Sequence, residues 1–148
     1  MSIIRKGLAA LVVAGAVTVL PVLATPAAAA PIHDCTFHLD SVHASDLFHD
    51  GGTDRVFIKV GQTWGPPGGT GVAFSAPNNR DESGSSFDPA DEVEFVDDVD
   101  VLIAIDTFPI NRRTDAVSIS CVEVTNAQRS LIGNGFRYVI TYDVTATP

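Results

Sequence analysis

Two groups of aspartates stand where the chain turns: Asp46, Asp50 and Asp54 in the first, Asp106 and Asp115 in the second. Carboxylates at loop positions are the side chains a calcium ion uses, since Ca²⁺ takes six to eight oxygens from acids and loop carbonyls. Each group adjoins an apolar run, Arg55–Val60 after the first and Asp100–Ile105 before the second. If the two loops meet at one end of a fold, their like charges repel, and a cation bound there stabilises the native state. The expectation is one weak Ca²⁺, with a dissociation constant of roughly 0.1–1 mM. The competing expectation is that these residues are solvated turn formers, because Asp favours turns by bonding its own backbone.

Other candidate chemistry is thinner. His33, His38, His43 and His49 fall within seventeen residues, and imidazole suits zinc and copper. No His-x-His or His-x3-His pair shares a face, and one unbroken strand through His38 and His43 would turn them to opposite sides, so surface histidines are expected. Glu92, Glu94, Asp97, Asp98 and Asp100 form a dense run, read either as paired hydrolytic carboxylates or, preferably, as a solvated rim. No nucleophile elbow, zinc-protease motif or phosphate-cradling glycine loop is present. Ser83, Ser85 and Ser86 surround Gly84 in what reads as a floppy loop. Trp64 beside Pro66-Pro67 is a core-rim residue or a stacking platform. No catalytic activity is expected.

The elements that must position these residues are strands. Cys35, Phe37 and Leu39 alternate with polar neighbours, as do Val56, Ile58 and Val60, and Phe136 to Val144. Gly71–Ala76, Glu92–Val96 and Asp115–Val124 add further strands. Asp100–Ile105 is apolar on both faces, the mark of a strand central in its sheet. Val42–Asp54 reads as a long loop with a short helical turn at Ala44–Phe48, Pro77–Asp91 as a polar loop, and Asn126–Gly135 as another loop. Seven or eight short strands without helical periodicity predict an all-β fold, a single antiparallel β-sandwich. Cys35 and Cys121 both fall on apolar faces and are expected to form one disulfide. An immunoglobulin-like arrangement of Cys35, Trp64 and Cys121 is an alternative topology; Ile119 stands where that fold's tyrosine would be.

Met1–Ala29 reads as a signal peptide: Arg5 and Lys6 precede an apolar core that ends in an alanine run. The domain then spans residues 30–148. Removing 29 residues leaves 119, and Arg5 and Lys6 go with them, so seven basic residues face eighteen acidic ones and the net charge is −11. Such a surface argues against nucleic acid and anionic membranes as partners. It allows a cation, or an unidentified protein or cell-surface partner, and no membrane insertion is expected after cleavage.

The run GGTDRVFIKV at Gly51–Val60 resembles the calcium loop and following strand of C2 domains, with Asp54 in place of the loop's second aspartate and Arg55 where a proline is usual. Asp46 or Asp50 would be the upstream aspartate. Asp106 and Asp115 would be the first and last members of the second acidic loop, with Phe108 at its middle position. The chain also looks like small exported actinobacterial β-sandwich proteins, through this strand and the closing YVITYDV of Tyr138–Val144. The resemblance implies a secreted, non-enzymatic binding module that holds Ca²⁺. The alternative function is a secreted inhibitor or protein-interaction module acting through the loops Pro66–Gly71 or Pro77–Asp91.

Overall fold

The structure, a computed structural model, describes residues 34–49, 51–77, 80–106 and 112–147. The expected signal segment Met1–Ala29, together with His33, Asp50 and Phe108, lies outside the described residues. Eleven strands are described: β1 (Asp34–Asp46), β2 (Thr53–Val60), β3 (Thr63–Gly65), β4 (Val72–Ser75), β5 (Asp81–Ser83), β6 (Glu92–Val96), β7 (Asp98–Ile105), β8 (Arg112–Arg113), β9 (Val117–Ser120), β10 (Val124–Gly133) and β11 (Phe136–Thr147). They form two antiparallel sheets. One runs β10-β11-β1, with β5 and β6 sharing the far side of β1; in the other, β2 and β7 are central, flanked by β3 and β4 on one side and β8 and β9 on the other. Each layer is therefore four lanes wide, and three of the four outer lanes are split between two short strands.

Alternation puts Phe37, Leu39, Tyr138, Ile140 and Tyr142 of the first sheet against Val56, Ile58, Val101, Ile103 and Ile105 of the second, all buried. β7 is central, as its two apolar faces predict: it pairs with β2 on one side and with β8 and β9 on the other. The Cys35–Cys121 disulfide joins β1 to the segment after β9 and so ties one layer to the other, closing a separation of 86 residues. Trp64 stands half-buried on the edge strand β3, outside the core cluster.

Three loop expectations are corrected. Val42–Asp46 continues β1, and no helical turn forms at Ala44–Phe48. The alternation is lost because β1 carries two register shifts, at Leu39/Ser41 and at Ala44/Asp46. Each bulge adds one residue and reverses the parity of the positions beyond it, so the buried positions step from Leu39 to Val42 and from Ala44 to Leu47. The first bulge also turns His38 and His43 to the same outer face. There they meet cross-strand carboxylates, Glu92 at 3.9 Å and Asp81 at 2.6 Å.

The second correction is Pro77–Asp91, which contains β5 and a 3-10 turn at Gly84–Phe87. Phe87 and Ala90 are fully buried, with Phe87 stacked on Phe74 at 6.4 Å. A Cβ at Gly84 would lie 1.6 Å from the Leu39 carbonyl oxygen, so only glycine lets this turn seat against β1. The third is Asn126–Gly135, most of which belongs to β10, an edge strand whose side chains are largely exposed and therefore carry no apolar period.

Candidate functional site

At the end of the sandwich away from the disulfide, the chain passes from β1 to β2 through Leu47–Gly52, with Gly51 at φ +78° and Gly52 N–H bonded to His49 O at 2.8 Å. β2 begins there, and its alternation points Asp54 inward beneath the turn, where it is wholly excluded from solvent. Four donors meet its carboxylate. Phe48 N–H donates to Oδ2 at 2.8 Å and His49 N–H to Oδ1 at 3.0 Å. The Tyr138 hydroxyl donates to Oδ2 at 2.7 Å, and His49 Nδ1 lies 2.9 Å from Oδ1. Burial by itself would push the Asp54 carboxyl up; the bonds from Tyr138, His49 and Phe48 outweigh it and hold the group below the usual aspartate value. Burial, followed by the bond to Asp54 and the charges of Asp54 and Asp106, pushes the Tyr138 phenol far above its usual value.

Asp106 closes the site from the second sheet. It follows β7 at φ +74°, its N–H bonds Arg55 O at 2.7 Å, and its Oδ1 accepts from Arg55 N–H at 3.4 Å. Its Oδ2 lies 3.5 Å from His49 Nε2 and accepts from Arg112 Nη1 at 3.4 Å. The Arg112 guanidinium in turn sits 4.0 Å from the centre of the Phe48 ring, a cation–π contact. The imidazole of His49 thus stands between two carboxylates, one buried and one at the surface.

His49, Asp54 and Asp106 each offer a ligand atom, all within 4.8 Å of one another. Of the five aspartates singled out in the sequence, Asp54 and Asp106 come together here. Asp46 is exposed on β1 opposite Arg137, and Asp115 is exposed, bonding Ile132 O through its backbone N–H at 3.2 Å; neither belongs to the cluster. Asp50 lies outside the described residues. His49, expected from the sequence to be a surface histidine, joins the aspartates here: its spacing of five from Asp54 follows no ligand motif, and only the tight turn brings its ring back. Tyr138 reads in the sequence as a core residue, and its hydroxyl's partner is 84 residues away.

A carboxylate offers about four acceptor positions, and the four donors fill those of Asp54. The negative charge of Asp106 already faces Arg112. Asp54 can ligate a metal only by giving up a bond. The described cluster therefore offers a cation the Asp106 carboxylate and a His49 ring nitrogen, with Asp54 behind the ring as the group that orients it, as outer-shell carboxylates do for metal-bound histidines. No hydroxyl or thiol nucleophile is bonded to His49 among the described residues; its Nε2 faces Asp106.

The acidic run lies at the opposite end. Glu92, Glu94, Asp97, Asp98 and Asp100 are all exposed, and Asp98 accepts from the Ser118 hydroxyl at 2.9 Å. This is a solvated rim beside the disulfide. No helix among the described residues is long and apolar enough to cross a membrane. No family model matches the chain, and neither a curated protein nor a solved structure matches it.

Proposed function

We propose that this protein is an exported, non-catalytic interaction module that binds an extended segment by strand addition along β10. The observation that carries this reading is the contrast among the outer lanes. β3, β4, β5, β6, β8 and β9 are two to five residues long, whereas β10 spans ten, regular from Ala127 to Gly133 after one bulge at which Asn126 stands at φ +53°. Short or interrupted edges are how sheets avoid pairing with other chains, and a long open edge is a template for main-chain recognition of a peptide. β10 contains no proline, lysine or acid, and its single charge is Arg129.

The hairpin fixes which groups are open. Gly133 pairs with Phe136 around a two-residue turn, so Gly133, Leu131, Arg129 and Ala127 bond β11, while Ile132, Ser130 and Gln128 direct N–H and C=O outward. The Asp115 N–H takes Ile132 O at 3.2 Å, and Arg129 Nη1 covers Gln128 O at 3.3 Å with a long, displaceable side chain. Ser130 keeps both outward groups open among the described residues. Ser130→Pro removes an outward N–H and leaves the β10–β11 ladder intact, as edge positions permit. Extended peptides selected from a displayed random library on the domain should bind it and lose binding to Ser130→Pro. Selection of no peptide, or of peptides that bind both proteins equally, would remove the reading.

A second reading, a divalent cation, is favoured by the convergence of His49, Asp54 and Asp106. With imidazole nitrogen in the set, a zinc-like ion suits it better than Ca²⁺, which prefers oxygen alone. Calorimetric titration with Zn²⁺ and with Ca²⁺, on the domain and on Asp106→Asn, tests it. Absence of heat with either ion at millimolar concentration removes the metal.

A further inference from the structure

We propose that the cleft at the end of β1 binds a small organic acid that carries one carboxylate on an apolar body. The site is separate from the outward backbone groups of β10 and does not rest on strand addition. The cleft has a volume of about 560 Å³, within the roughly 300–1,000 Å³ of small-ligand pockets. It forms where β1 runs into the turn before β2 and the β10–β11 hairpin turns back beside it.

Arg80 and Arg137 both line this cleft. Phe136 and Tyr138 are buried, so Arg137 between them points out of the sheet. Its register partners are Ile132 on β10 and Asp46 on β1. Arg80 comes from the other side of β1, where its carbonyl accepts the Ala44 N–H at 2.7 Å. Neither guanidinium forms an ion pair with a carboxylate among the described residues. Arg80 Nη1 donates to Ser45 O at a long 3.5 Å, and the Arg137 side chain has no hydrogen-bond partner among the described residues. In a chain of eighteen acidic and nine basic residues, this pair reverses the sign of the charge locally. The planar fork of arginine matches a carboxylate.

Asp46 sets how much negative charge the ligand carries. It is the one acid that lines the cleft among the described residues, so two arginines less one aspartate leave a single positive charge. A dianion such as phosphate would set its second charge against Asp46; one carboxylate matches. The apolar body has its own wall. Leu47 and Phe136 are buried and Ile132 is 55% exposed, and Phe48 stands edge-on to Phe136 at 6.2 Å. Glycine at position 133 makes that wall possible: a Cβ there would lie 2.1 Å from Phe136 Cζ and drive the ring away. A ligand covering Ile132 removes from water an apolar side chain that the fold itself leaves exposed.

Titration of the isotope-labelled, disulfide-bonded protein with 3-phenylpropionate, followed by amide chemical shifts, tests the proposal. The expected result is saturable shifts at Asp46, Leu47, Phe48 and residues 133–137, with none from the uncharged 3-phenylpropionamide. Arg80, Arg137 and Asp46 are exposed, so their variants should fold. Arg80→Gln and Arg137→Gln should each weaken binding about threefold, the scale of an exposed ion pair. Asp46→Asn removes the opposing charge and should tighten binding about twofold, a gain that a merely structural role for Asp46 would not produce. No saturation at millimolar acid, equal shifts from the amide, or weaker binding by a folded Asp46→Asn overturns the site. Tighter binding of inorganic phosphate than of the acid overturns the single-carboxylate assignment. The comparison of acid with amide uses the wild type alone and stands whether or not any variant folds.

Discussion

Tyr138 and Asp54 join the two sheets by a 2.7 Å hydrogen bond between side chains that are both wholly buried. Tyr138 also packs edge-on against Phe74 at 5.4 Å, so its ring belongs to the core and its hydroxyl to the turn. A hydrogen bond to a charged group is worth roughly 1.5–3 kcal/mol. Tyr138→Phe keeps the ring and should lose about that much, read by chemical denaturation. Asp54→Ala strands the Tyr138 hydroxyl and two backbone N–H groups, and should cost more, roughly 3–5 kcal/mol. Equal losses in the two variants would mean that the backbone bonds to Asp54 contribute nothing.

The pH dependence comes from the direction of the Asp54 shift. Its folded value lies below the unfolded one, so the stability it contributes is present above about pH 3.9, the ordinary aspartate value, and is lost as the pH falls through the folded value. Asp54→Asn does not titrate. The stability gap between wild type and Asp54→Asn should be constant near neutrality and shrink below about pH 4.

Asp40 should behave in the opposite sense. It occupies the first bulge of β1, and burial, then the charge and hydrogen bond of Asp143, raise its carboxyl, with His38 opposing. A raised acid favours the folded state only while protonated, so its contribution is lost as pH rises through the folded value. Asp40→Asn should raise the melting temperature at pH 7, and the gain should vanish below about pH 3.9, where both states are protonated. A lower melting temperature at pH 7 would show that the ionised Asp40 carboxylate is favourable there.

Reduction of Cys35–Cys121 removes the covalent tie between the two layers. The loop it closes spans 86 residues, for which the chain-entropy model gives roughly 4–5 kcal/mol. Cys35→Ala with Cys121→Ala should lower the unfolding midpoint accordingly.

The Gly84–Phe87 turn is a further test of what is core. Phe87→Ala empties a fully buried site and should cost roughly 3–5 kcal/mol, and Gly84→Ala should be severely destabilising because its Cβ would strike β1. Rapid proteolysis within Asp81–Ala90 of the wild type would contradict the packed turn.

The sequence by itself determined the fold class, the central place of β7 and the pairing of the cysteines. These rest on side-chain alternation and on there being only two thiols, both local or countable properties. It also marked Asp54 and Asp106 as residues at strand ends. Tertiary structure alone decided that β1 runs on to Asp46, because a bulge erases the period that reveals a strand. It alone decided that β10 is a strand, because one bulge and a single fully buried side chain, Leu131, leave no apolar alternation to display. It alone made a site of His49, Asp54, Tyr138 and Asp106, whose carboxylate, imidazole and phenol meet only when two sheets close over one turn. Local patterns report which face of an element is buried; which distant polar groups share that burial is set by the packing of one layer on another.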